Sequence, residues 1–467
     1  MSRPIGTVLI ANRGEIALRV ARSCREMGVR SVAVYSTADR DSAVVRYADE
    51  AVHIGPAPAR RSYLYVPNLI EAALRAGADA VHPGYGFLSE DPDFAQVCAE
   101  NGLAFIGPRP DVMECVGDKA RVRTLMGAAG LPLLPGSDGS VPTLADAEEI
   151  AAEIGYPVIV KAAAGGGGRG IEVARDRAAL QEAFRRTTAL ARQVFGIGDV
   201  YLERFVPAAR HVEVQLLCDE HGEAVHLGER DCSLQRRNQK LVEESPSPAL
   251  SAELRAELGR HALTGARAVG YTGAGTMEFL VDDDGALTFM EINGRIQVEH
   301  PVTEMMTGID LVKEQIRVAA GEPLGYGQDD VRPRGAALEC RINAEDPAAG
   351  FRPTPGRLEV FRPPGGPGVR IDSGFAQGDC VPPNYDSLVA KLVVWAPTRQ
   401  EAIERAARGL AEFAVDGPGV ATTIPLLQRL LAHPVFVRGE HTTRFVDELM
   451  AGRRPAEEEE EREPQCL

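Results

Sequence analysis

Lysine is scarce in this chain. Of its 51 basic residues only five are lysines, at positions 119, 161, 240, 313 and 391, so arginine supplies nearly all of the positive charge. A residue type that is rare elsewhere is favoured where a compact, rotatable ammonium group is needed and a planar guanidinium does not fit. We therefore single out Lys119, Lys161 and Lys240 as candidate ligands.

Other absences exclude whole classes of protein. The eight cysteines are scattered without a CxxC pair, which excludes a disulfide framework and a zinc site of the usual spacing. No apolar run approaches the roughly 18 residues of a membrane span, and the N-terminus lacks a signal-peptide pattern, so we expect a cytoplasmic protein without a membrane partner. The net charge of -16 argues against a nucleic-acid partner.

The order of strand and helix patterns predicts an α/β and α+β protein. The first 115 or so residues alternate strand-like and helix-like runs, which is typical of a wound parallel sheet. The first strand runs into NRGEIA instead of GxGxxG, which argues against a nicotinamide enzyme. The predicted units are an N-terminal domain (1–115), a central domain (116–330) with a lid (131–205), a C-terminal mixed domain (331–447) and a disordered acidic tail (448–467).

A glycine-rich loop, KAAAGGGGRG, spans Lys161 to Gly170 directly after the apolar run YPVIV. Backbone N–H groups in such a loop can approach phosphate oxygens closely, while Lys161 and Arg169 offset their charge. The lysine precedes the glycines, so this is not a Walker loop. The sequence alone leaves two interpretations open, a polyphosphate-binding lid and a surface hairpin linker.

A predicted hairpin places two acids face to face. In GTMEFLVDDDGALTFMEINGRIQVEHP, a two-residue turn at Asp284-Gly285 would set Glu278 opposite Glu291. Facing carboxylates repel unless a cation lies between them, and with Asn293 on the same face they form a hard-oxygen site for magnesium or manganese. The alternative is a pair of solvated glutamates on an edge hairpin, and a bulge would shift the register.

Further candidates follow in the same region. If the second strand continues, Arg295, Gln297 and Glu299 alternate along it and suit a small planar oxyanion with a base beside it. His211 precedes an alternating strand and either faces a nucleotide or caps that strand. Cys232 is interpreted as a packed thiol because no base can be assigned to it.

Together, IANRGEIALR, HPGYGFLSE, KAAAGGGGRG, ERDCSLQRRNQK and MEINGRIQVEHPVTE resemble the biotin carboxylase family of ATP-grasp enzymes, over about residues 4 to 446. The resemblance implies ATP and two divalent metals as cofactors, and bicarbonate and carrier-linked biotin as substrates. It implies that Glu299 is the general base and that Arg341 in ECRINAED binds biotin. It also implies three further sets of residues. ATP would be held by Lys119, Lys161, Gly167, Gly168, Glu203, Arg204, Phe205, Val206, His211 and position 238; metals by Glu278, Glu291 and Asn293; and bicarbonate by Lys240, Arg295, Gln297 and the backbone of Val298.

Three positions depart from the family pattern. Asn238 replaces the histidine of QRRHQK, Asn293-Gly294-Arg295 replaces MNTR, and the glycine run begins one residue late at Ala164. Asn238 can still hydrogen-bond a ribose hydroxyl or an adenine edge, so we expect altered nucleotide affinity with the chemistry retained. The metal, base and bicarbonate positions all match the pattern.

By this resemblance the chain catalyses ATP-dependent carboxylation of biotin through carboxyphosphate, the first half-reaction of an acetyl-CoA or acyl-CoA carboxylase. Carrier domains present their lysine between two methionines, and no such tripeptide occurs in the sequence. We therefore expect a separate biotin carboxyl carrier protein, a separate carboxyltransferase subunit and, by family habit, a homodimer. The alternatives are another ATP-grasp ligase, such as one that forms carbamoyl phosphate, and a catalytically silent scaffold of a carboxylase complex.

Overall fold

The computed structural model describes residues 4–163, 170–195 and 198–452. The predicted ligands Gly167 and Gly168 and most of the acidic tail lie outside these ranges. The predicted tail begins too early, because the last helix of the described chain continues to Met450.

The N-terminal unit is a parallel sheet flanked by helices, as the strand and helix alternation predicted. Its elements in chain order are β1 (Thr7–Ile10), α1 (Gly14–Glu26), β2 (Arg30–Ser36), α2 (Ala43–Tyr47), β3 (Glu50–Gly55), α3 (Val66–Arg75), β4 (Ala80–His82), α4 (Pro92–Glu100) and β5 (Ala104–Phe105). The strand order is β3-β2-β1-β4-β5. Because the carboxyl ends of parallel strands share one edge, the turns after β1 and β4 meet there.

Two helices lead from this unit into a small antiparallel subdomain, which corresponds to the predicted lid. The elements are α5 (Pro110–Gly117), α6 (Lys119–Ala128), α7 (Leu144–Ile154), β6 (Val158–Ala162), β7 (Ile171–Ala174), α8 (Arg177–Phe195) and β8 (Val200–Arg204). The sheet has the order β7-β6-β8. Thr143 and Asp146 form a capping box at the start of α7, so this boundary is fixed locally.

The remaining elements form the central and C-terminal parts. The central ones are β9 (Arg210–Cys218), β10 (Ala224–Arg236), β11 (Gln239–Ser245), α9 (Ala252–Ala268), β12 (Gly273–Val281), β13 (Leu287–Asn293), α10 (His300–Thr307) and α11 (Leu311–Ala319). The C-terminal ones are β14 (Ala336–Asn343), β15 (Glu345–Asp346), β16 (Arg352–Pro353), β17 (Gly356–Arg357), β18 (Val360–Arg362), β19 (Val369–Ser373), β20 (Cys380–Val381), β21 (Leu388–Ala396), α12 (Arg399–Glu412), β22 (Ala414–Asp416), α13 (Ile424–Ala432), α14 (Pro434–Arg438) and α15 (Phe445–Met450).

One large sheet joins the central and C-terminal regions. Its strand order is β13-β12-β9-β10-β11-β14-β21-β19, so it continues across the boundary predicted at residue 330. Apolar residues of α12 and α13 pack against its C-terminal strands. Elsewhere the sheet buries ionisable side chains completely. These are Glu213, Arg230, Glu243, Glu339 and Lys391. Buried charges at this density need partners, and their partners define the site.

Among the described residues, no helix is both long enough and apolar enough to cross a membrane.

Candidate functional site

A cavity of about 770 Å³ lies where the N-terminal sheet edge, the lid and the large sheet meet. Most of the residues singled out in the sequence line it. They are Lys119, Lys161, Arg204, Phe205, Val206, His211, Asn238, Lys240, Glu278, Glu291, Asn293, Arg295, Gln297, Val298, Glu299 and Arg341. Glu203 is buried beside the cavity. Residues separated by more than 200 positions are thus brought into one cleft.

The two hairpin acids face each other as predicted, although the turn differs. Glu278 on β12 is the register partner of Glu291 on β13. The loop spans residues 282–286 instead of two residues, and a bulge follows Glu278. The longer loop and the bulge offset one another by one residue, so the predicted pair survives an incorrect turn.

Glu278 accepts hydrogen bonds from several directions. His211 Nε2 lies 3.0 Å from its Oε2, while Asn293 Nδ2 and Gln297 Nε2 donate to its Oε1 at 3.0 and 2.9 Å. Burial opposes ionisation of this carboxyl, yet the nearby charges of Lys240 and His211 hold its pKa well below the usual range. Glu278 is therefore ionised at neutral pH and presents a fixed negative charge to the cavity.

Two of the rare lysines neutralise carboxylates beside the lid. Lys119 Nζ lies 2.5 Å from Glu291 Oε2, and Lys161 Nζ lies 2.5 Å from Glu203 Oε2. Arg123, which no sequence motif singled out, pairs with the other oxygen of Glu203 at 2.6 Å. Lys161 is on β6, immediately before the glycine-rich loop. Both ammonium groups thus lie near the end of β6, and each forms an ion pair with a glutamate.

Lys240 is the third rare lysine and joins three carboxylates. Its Nζ lies 2.6 Å from Glu213, 3.2 Å from Glu278 and 2.6 Å from Glu299. Burial lowers the affinity of such an ammonium for its proton, but these carboxylates raise its pKa well above the usual value. A single compact cation therefore pairs with three carboxylates from different segments of the chain, a geometry that a planar guanidinium fits poorly.

Glu299 is clamped between two cations. Its Oε1 accepts from Lys240, and its Oε2 accepts from Arg341 Nη2 at 2.8 Å. Burial alone would raise its pKa, but Lys240, Arg341 and Arg230 together hold the pKa well below the usual range. The carboxylate is thus ionised, almost fully buried and able to accept a proton once its cations are shared with another anion.

The strand predicted beyond Asn293 does not exist. β13 ends at Asn293, and residues 294–298 form an irregular connection into α10, so the alternation expected for Arg295, Gln297 and Glu299 is wrong. Gln297 and Glu299 reach the cavity from this connection instead. Arg295 turns towards the N-terminal unit, where its Nε lies 3.0 Å from Glu90 Oε2.

The loop HPGYGFLSE after β4 contains Glu90, and the turn that follows β1 holds this loop in place. Asn12 Nδ2 donates to the carbonyl oxygens of Pro83 and Tyr85 at 2.6 and 2.8 Å. Gly84 has φ +63°, and a Cβ there would lie 2.9 Å from Asn12 Nδ2. Glycine is thus required for this close approach, and Glu90 is carried to the site as a consequence.

Asn238 occupies a turn that explains its identity. β10 and β11 are joined by Arg237 and Asn238, with φ values of 49° and 65°. Two consecutive positive φ angles are typical of a type I′ hairpin turn, in which asparagine is one of the best tolerated residues. The departure from the family histidine therefore suits the backbone and keeps a polar side chain at the cavity.

Several buried residues behind the site were missed. Arg230 donates to Glu213 at 2.5 Å and to Gln297 Oε1 at 3.2 Å, although in the sequence it stood out only as part of the motif ERDCSLQRRNQK. Lys391, one of the five lysines, is fully buried and contacts Glu15 and the carbonyl of Val298, both at 2.8 Å. The scarcity of lysine, which singled out three other lysines as candidate ligands, applied equally to Lys391.

Cys232 is fully buried, as predicted for a packed thiol. Burial and the nearby Glu213 raise its pKa well above the usual value, so the thiolate needed for nucleophilic attack is disfavoured.

Comparison with known proteins identifies the family. Three family models match the chain: "Biotin carboxylase, N-terminal domain" over residues 4–113, "Carbamoyl-phosphate synthase L chain, ATP binding domain" over 118–326, and "Biotin carboxylase C-terminal domain" over 339–448. The chain is 53% identical over 442 residues to the biotin carboxylase of Nostoc sp., covering 95% of this chain and 98% of that protein. The chain belongs to the biotin carboxylase family.

Two further similar proteins support this family assignment. Biotin carboxylase 1 of Bacillus subtilis is 52% identical, with 95% of this chain and 98% of that protein covered. The biotin carboxylase domain dimer of 2-oxoglutarate carboxylase from Hydrogenobacter thermophilus, solved with MgADP, ADP and bicarbonate, superposes with a TM-score of 0.92 at 48% identity, covering 95% and 97% of the two chains. The family resemblance inferred from the motifs is thus confirmed. The two biotin carboxylase domains on either side of the ATP-binding domain favour a biotin carboxylase over a carbamoyl-phosphate-forming ligase.

Proposed function

We propose that this chain catalyses the ATP-dependent carboxylation of biotin by bicarbonate, through carboxyphosphate. The observation that carries the proposal is the placement of Glu299 between Lys240 and Arg341, in the same cavity as the facing acids Glu278 and Glu291. This arrangement combines a base, anion-binding cations and a metal-compatible acid pair. The units 1–115, 116–330 and 331–447 are proposed as the domains that enclose it.

The facing acids fit divalent magnesium or manganese. Glu278, Glu291 and Asn293 offer carboxylate and amide oxygens, the donors that these hard cations prefer. Two bound ions would neutralise the phosphate oxygens of ATP and the charge that develops on the transferred group. Metal bound at Glu291 would free Lys119, which now pairs with that acid, for phosphate. Lys161 is likewise proposed to turn from Glu203 towards the nucleotide.

The rest of the nucleotide site is assigned by position around the cavity. Phe205 and Val206 follow β8 and offer apolar contact and backbone groups to the adenine, with Glu203 and Arg204 at the end of the same strand. His211 and Asn238 also line the cavity. Gly167 and Gly168, which lie outside the described residues, are proposed to cover the phosphates.

Bicarbonate is proposed to bind beside Glu299, where Lys240 and Arg341 now contact its carboxylate. Lys240, Arg295, Gln297 and Val298 line the same cavity and are proposed to hold the anion, Val298 through its backbone. When the anion shares the positive charge of Lys240, the proton affinity of Glu299 rises and it can remove the bicarbonate proton. The bicarbonate oxygen then attacks the γ-phosphorus of ATP, and ADP leaves. The products of this step are carboxyphosphate and ADP.

Carboxyphosphate breaks down to CO2 and phosphate inside the closed cavity. The phosphate takes the proton from the ureido nitrogen of biotin, and the resulting enolate attacks CO2 to give carboxybiotin. Arg341 is proposed to stabilise that enolate oxygen, because its guanidinium lies beside Glu299 and is held by the buried carboxylate of Glu243 at 2.6 Å.

The biotin is proposed to arrive on a biotin carboxyl carrier protein, and the carboxyl group to pass to an acyl-CoA in a carboxyltransferase subunit, as in acetyl-CoA carboxylase and fatty acid biosynthesis. A homodimer is also proposed, supported by the dimeric assembly named for the Hydrogenobacter domain. A cytoplasmic location is also proposed.

The test measures ATP cleavage by the purified chain with magnesium. We expect hydrolysis that depends on bicarbonate and is stimulated by free biotin, with carboxybiotin trapped from labelled bicarbonate. Stimulation by ammonia in place of biotin would assign the chain to a carbamoyl-phosphate-forming ligase. ATP binding without turnover would indicate a silent scaffold.

A further inference from the structure

Two buried glutamates face each other beneath Arg341. Glu243 on β11 and Glu339 on β14 are register partners in the large sheet, and both side chains are fully buried. Directly opposed positions on antiparallel strands bring their Cβ atoms to about 4.5–5.5 Å. If both of these neighbouring side chains were ionised, their carboxylates would repel strongly because no water screens them.

The two glutamates have unequal partners. Glu243 Oε1 accepts from Arg341 Nε at 2.6 Å, and its Oε2 has no hydrogen-bond partner among the described residues. Within the same ranges, neither oxygen of Glu339 has one. An ionised buried carboxylate needs donors on its oxygens, so the unpartnered Glu339 suits the protonated form.

The charged groups around the pair also favour a protonated Glu339. Arg341 and Lys240 face Glu243, while Glu299 adds negative charge from the connection before α10. Lys391 on β21 faces Glu339 but is already bonded to Glu15 and the Val298 carbonyl. The packed helix α10 contributes no cation here, since burial and neighbouring cations keep the pKa of His300 well below its usual value.

The direction of each pKa fits an uneven sharing. Burial raises the pKa of Glu339 well above its usual value, with Glu243 adding to the shift. Burial also raises the pKa of Glu243, to about 7, but Arg341 opposes that rise. The proton is therefore held more firmly by Glu339.

We propose that Glu243 and Glu339 hold one proton between them, with Glu339 the protonated acid donating to the free oxygen of Glu243, and that this pair positions Arg341 for biotin. The inference rests on the proposed function, since Arg341 is the proposed biotin ligand. Glu243 stays ionised and anchors the guanidinium through Nε, while Nη2 can exchange Glu299 for substrate. The proton on Glu339 prevents a second charge from competing for the same guanidinium.

Infrared spectroscopy of the full chain tests the proton without reference to activity. A buried carboxylic acid gives a C=O stretch above the amide I band, separate from ionised carboxylates. We expect this band at neutral pH in the wild type and in the surface control Glu359→Gln, and its loss in Glu339→Gln. An unchanged band in Glu339→Gln overturns the assignment of the proton.

Thermal unfolding gives an independent readout with a defined sign. A glutamate with a raised folded pKa must take up a proton on folding once the pH exceeds its unfolded pKa of about 4.3, whereas glutamine does not. The melting temperature of Glu339→Gln relative to the wild type should therefore rise steadily between about pH 5 and about pH 8. A relative melting temperature that does not rise over this range would show a Glu339 that is ionised in both the folded and the unfolded state, and would overturn the proposal.

Kinetics test the positioning of Arg341. Glu243→Gln removes a charge-assisted hydrogen bond, so the KM for free biotin should rise roughly 10- to 100-fold while the KM for ATP changes less than about threefold. Equal effects on both KM values would show a general structural role and overturn the positioning claim. If the wild type itself lacks biotin-stimulated ATP cleavage, the proposed function fails, whereas the infrared and unfolding results still decide the shared proton.

Discussion

Lys240 Nζ lies 2.6 Å from Glu299 Oε1 in the interior of the cavity. The lysine comes from β11 and the glutamate from the connection before α10, so the contact joins segments about sixty residues apart. The proposed base is thus neutralised by the cation that is also proposed to receive the substrate anion. Binding and proton removal are coupled because both draw on the same ammonium charge.

Removing the base should stop the chemistry and spare nucleotide binding. Glu299→Gln keeps the size of the side chain and its hydrogen bonds in part, but it cannot accept a proton at neutral pH. We expect kcat for bicarbonate-dependent ATP cleavage to fall about 100- to 10,000-fold. Steady-state assays with Glu359→Gln as a surface control measure this, and near-normal turnover would remove Glu299 as the base.

Removing the ammonium of Lys240 should destabilise the fold. Lys240→Met leaves Glu213, Glu278 and Glu299 without their shared cation, and uncompensated buried charge costs about 3–5 kcal/mol. Chemical denaturation at neutral pH gives the free energy of unfolding. The matched control is Lys313→Met, which breaks a more exposed pair with Glu26 and should cost under about 1 kcal/mol. Equal losses in the two variants would contradict the role of Lys240.

Acid should weaken the protein through the same carboxylates. The folded pKa values of Glu278 and Glu299 are depressed, so their contribution is present above the unfolded pKa of about 4.3 and is lost as the pH falls below it. We expect the free energy of unfolding to drop as the pH is lowered from about 5 to about 3. Glu299→Gln should show a shallower drop, and an unchanged slope would argue against Glu299 as a contributor.

Nucleotide binding should depend on Glu291 and on magnesium together. A ligand that binds only the folded state at 100 times its Kd raises stability by about 2.7 kcal/mol, and metal-dependent ATP binding is measured as that rise in melting temperature. Glu291→Gln should lose most of the magnesium-dependent part of the shift. Retention of the full shift would show that the facing acids do not hold metal.

Asn238 should respond to substitution through its backbone. At φ 65°, Asn238→Val forces a β-branched residue into the left-handed region and should cost roughly 1–2 kcal/mol of stability. Asn238→His restores the family residue and tolerates this region better, so its stability loss should be smaller. Calorimetric titration with ATP then compares nucleotide affinity in the asparagine and histidine forms. A valine variant as stable as the wild type would contradict the assigned turn.

The hairpin acids show what local pattern predicted and where it failed. Strand alternation and the acidic turn sufficed to pair Glu278 with Glu291, although the turn was taken as two residues long. The pairing was correct because the bulge after Glu278 restored the register, and no local signal announced that bulge. The extension of the strand to Arg295 failed because the chain turns towards α10 at Gly294, where the backbone N–H donates to Glu90 of another unit.

The sequence by itself determined the family, the parallel N-terminal sheet and which residue types could serve ATP, metal and bicarbonate, since motifs and side-chain periodicity are local properties of the chain. Only the tertiary structure decided which charges meet: three carboxylates on Lys240, Glu90 on Arg295, and Lys391 against Glu15 and Val298. Periodicity fixes the face of a strand on which a side chain lies, whereas strand order and the packing of distant units fix its partner. For buried ions that partner sets both the charge state and the chemistry.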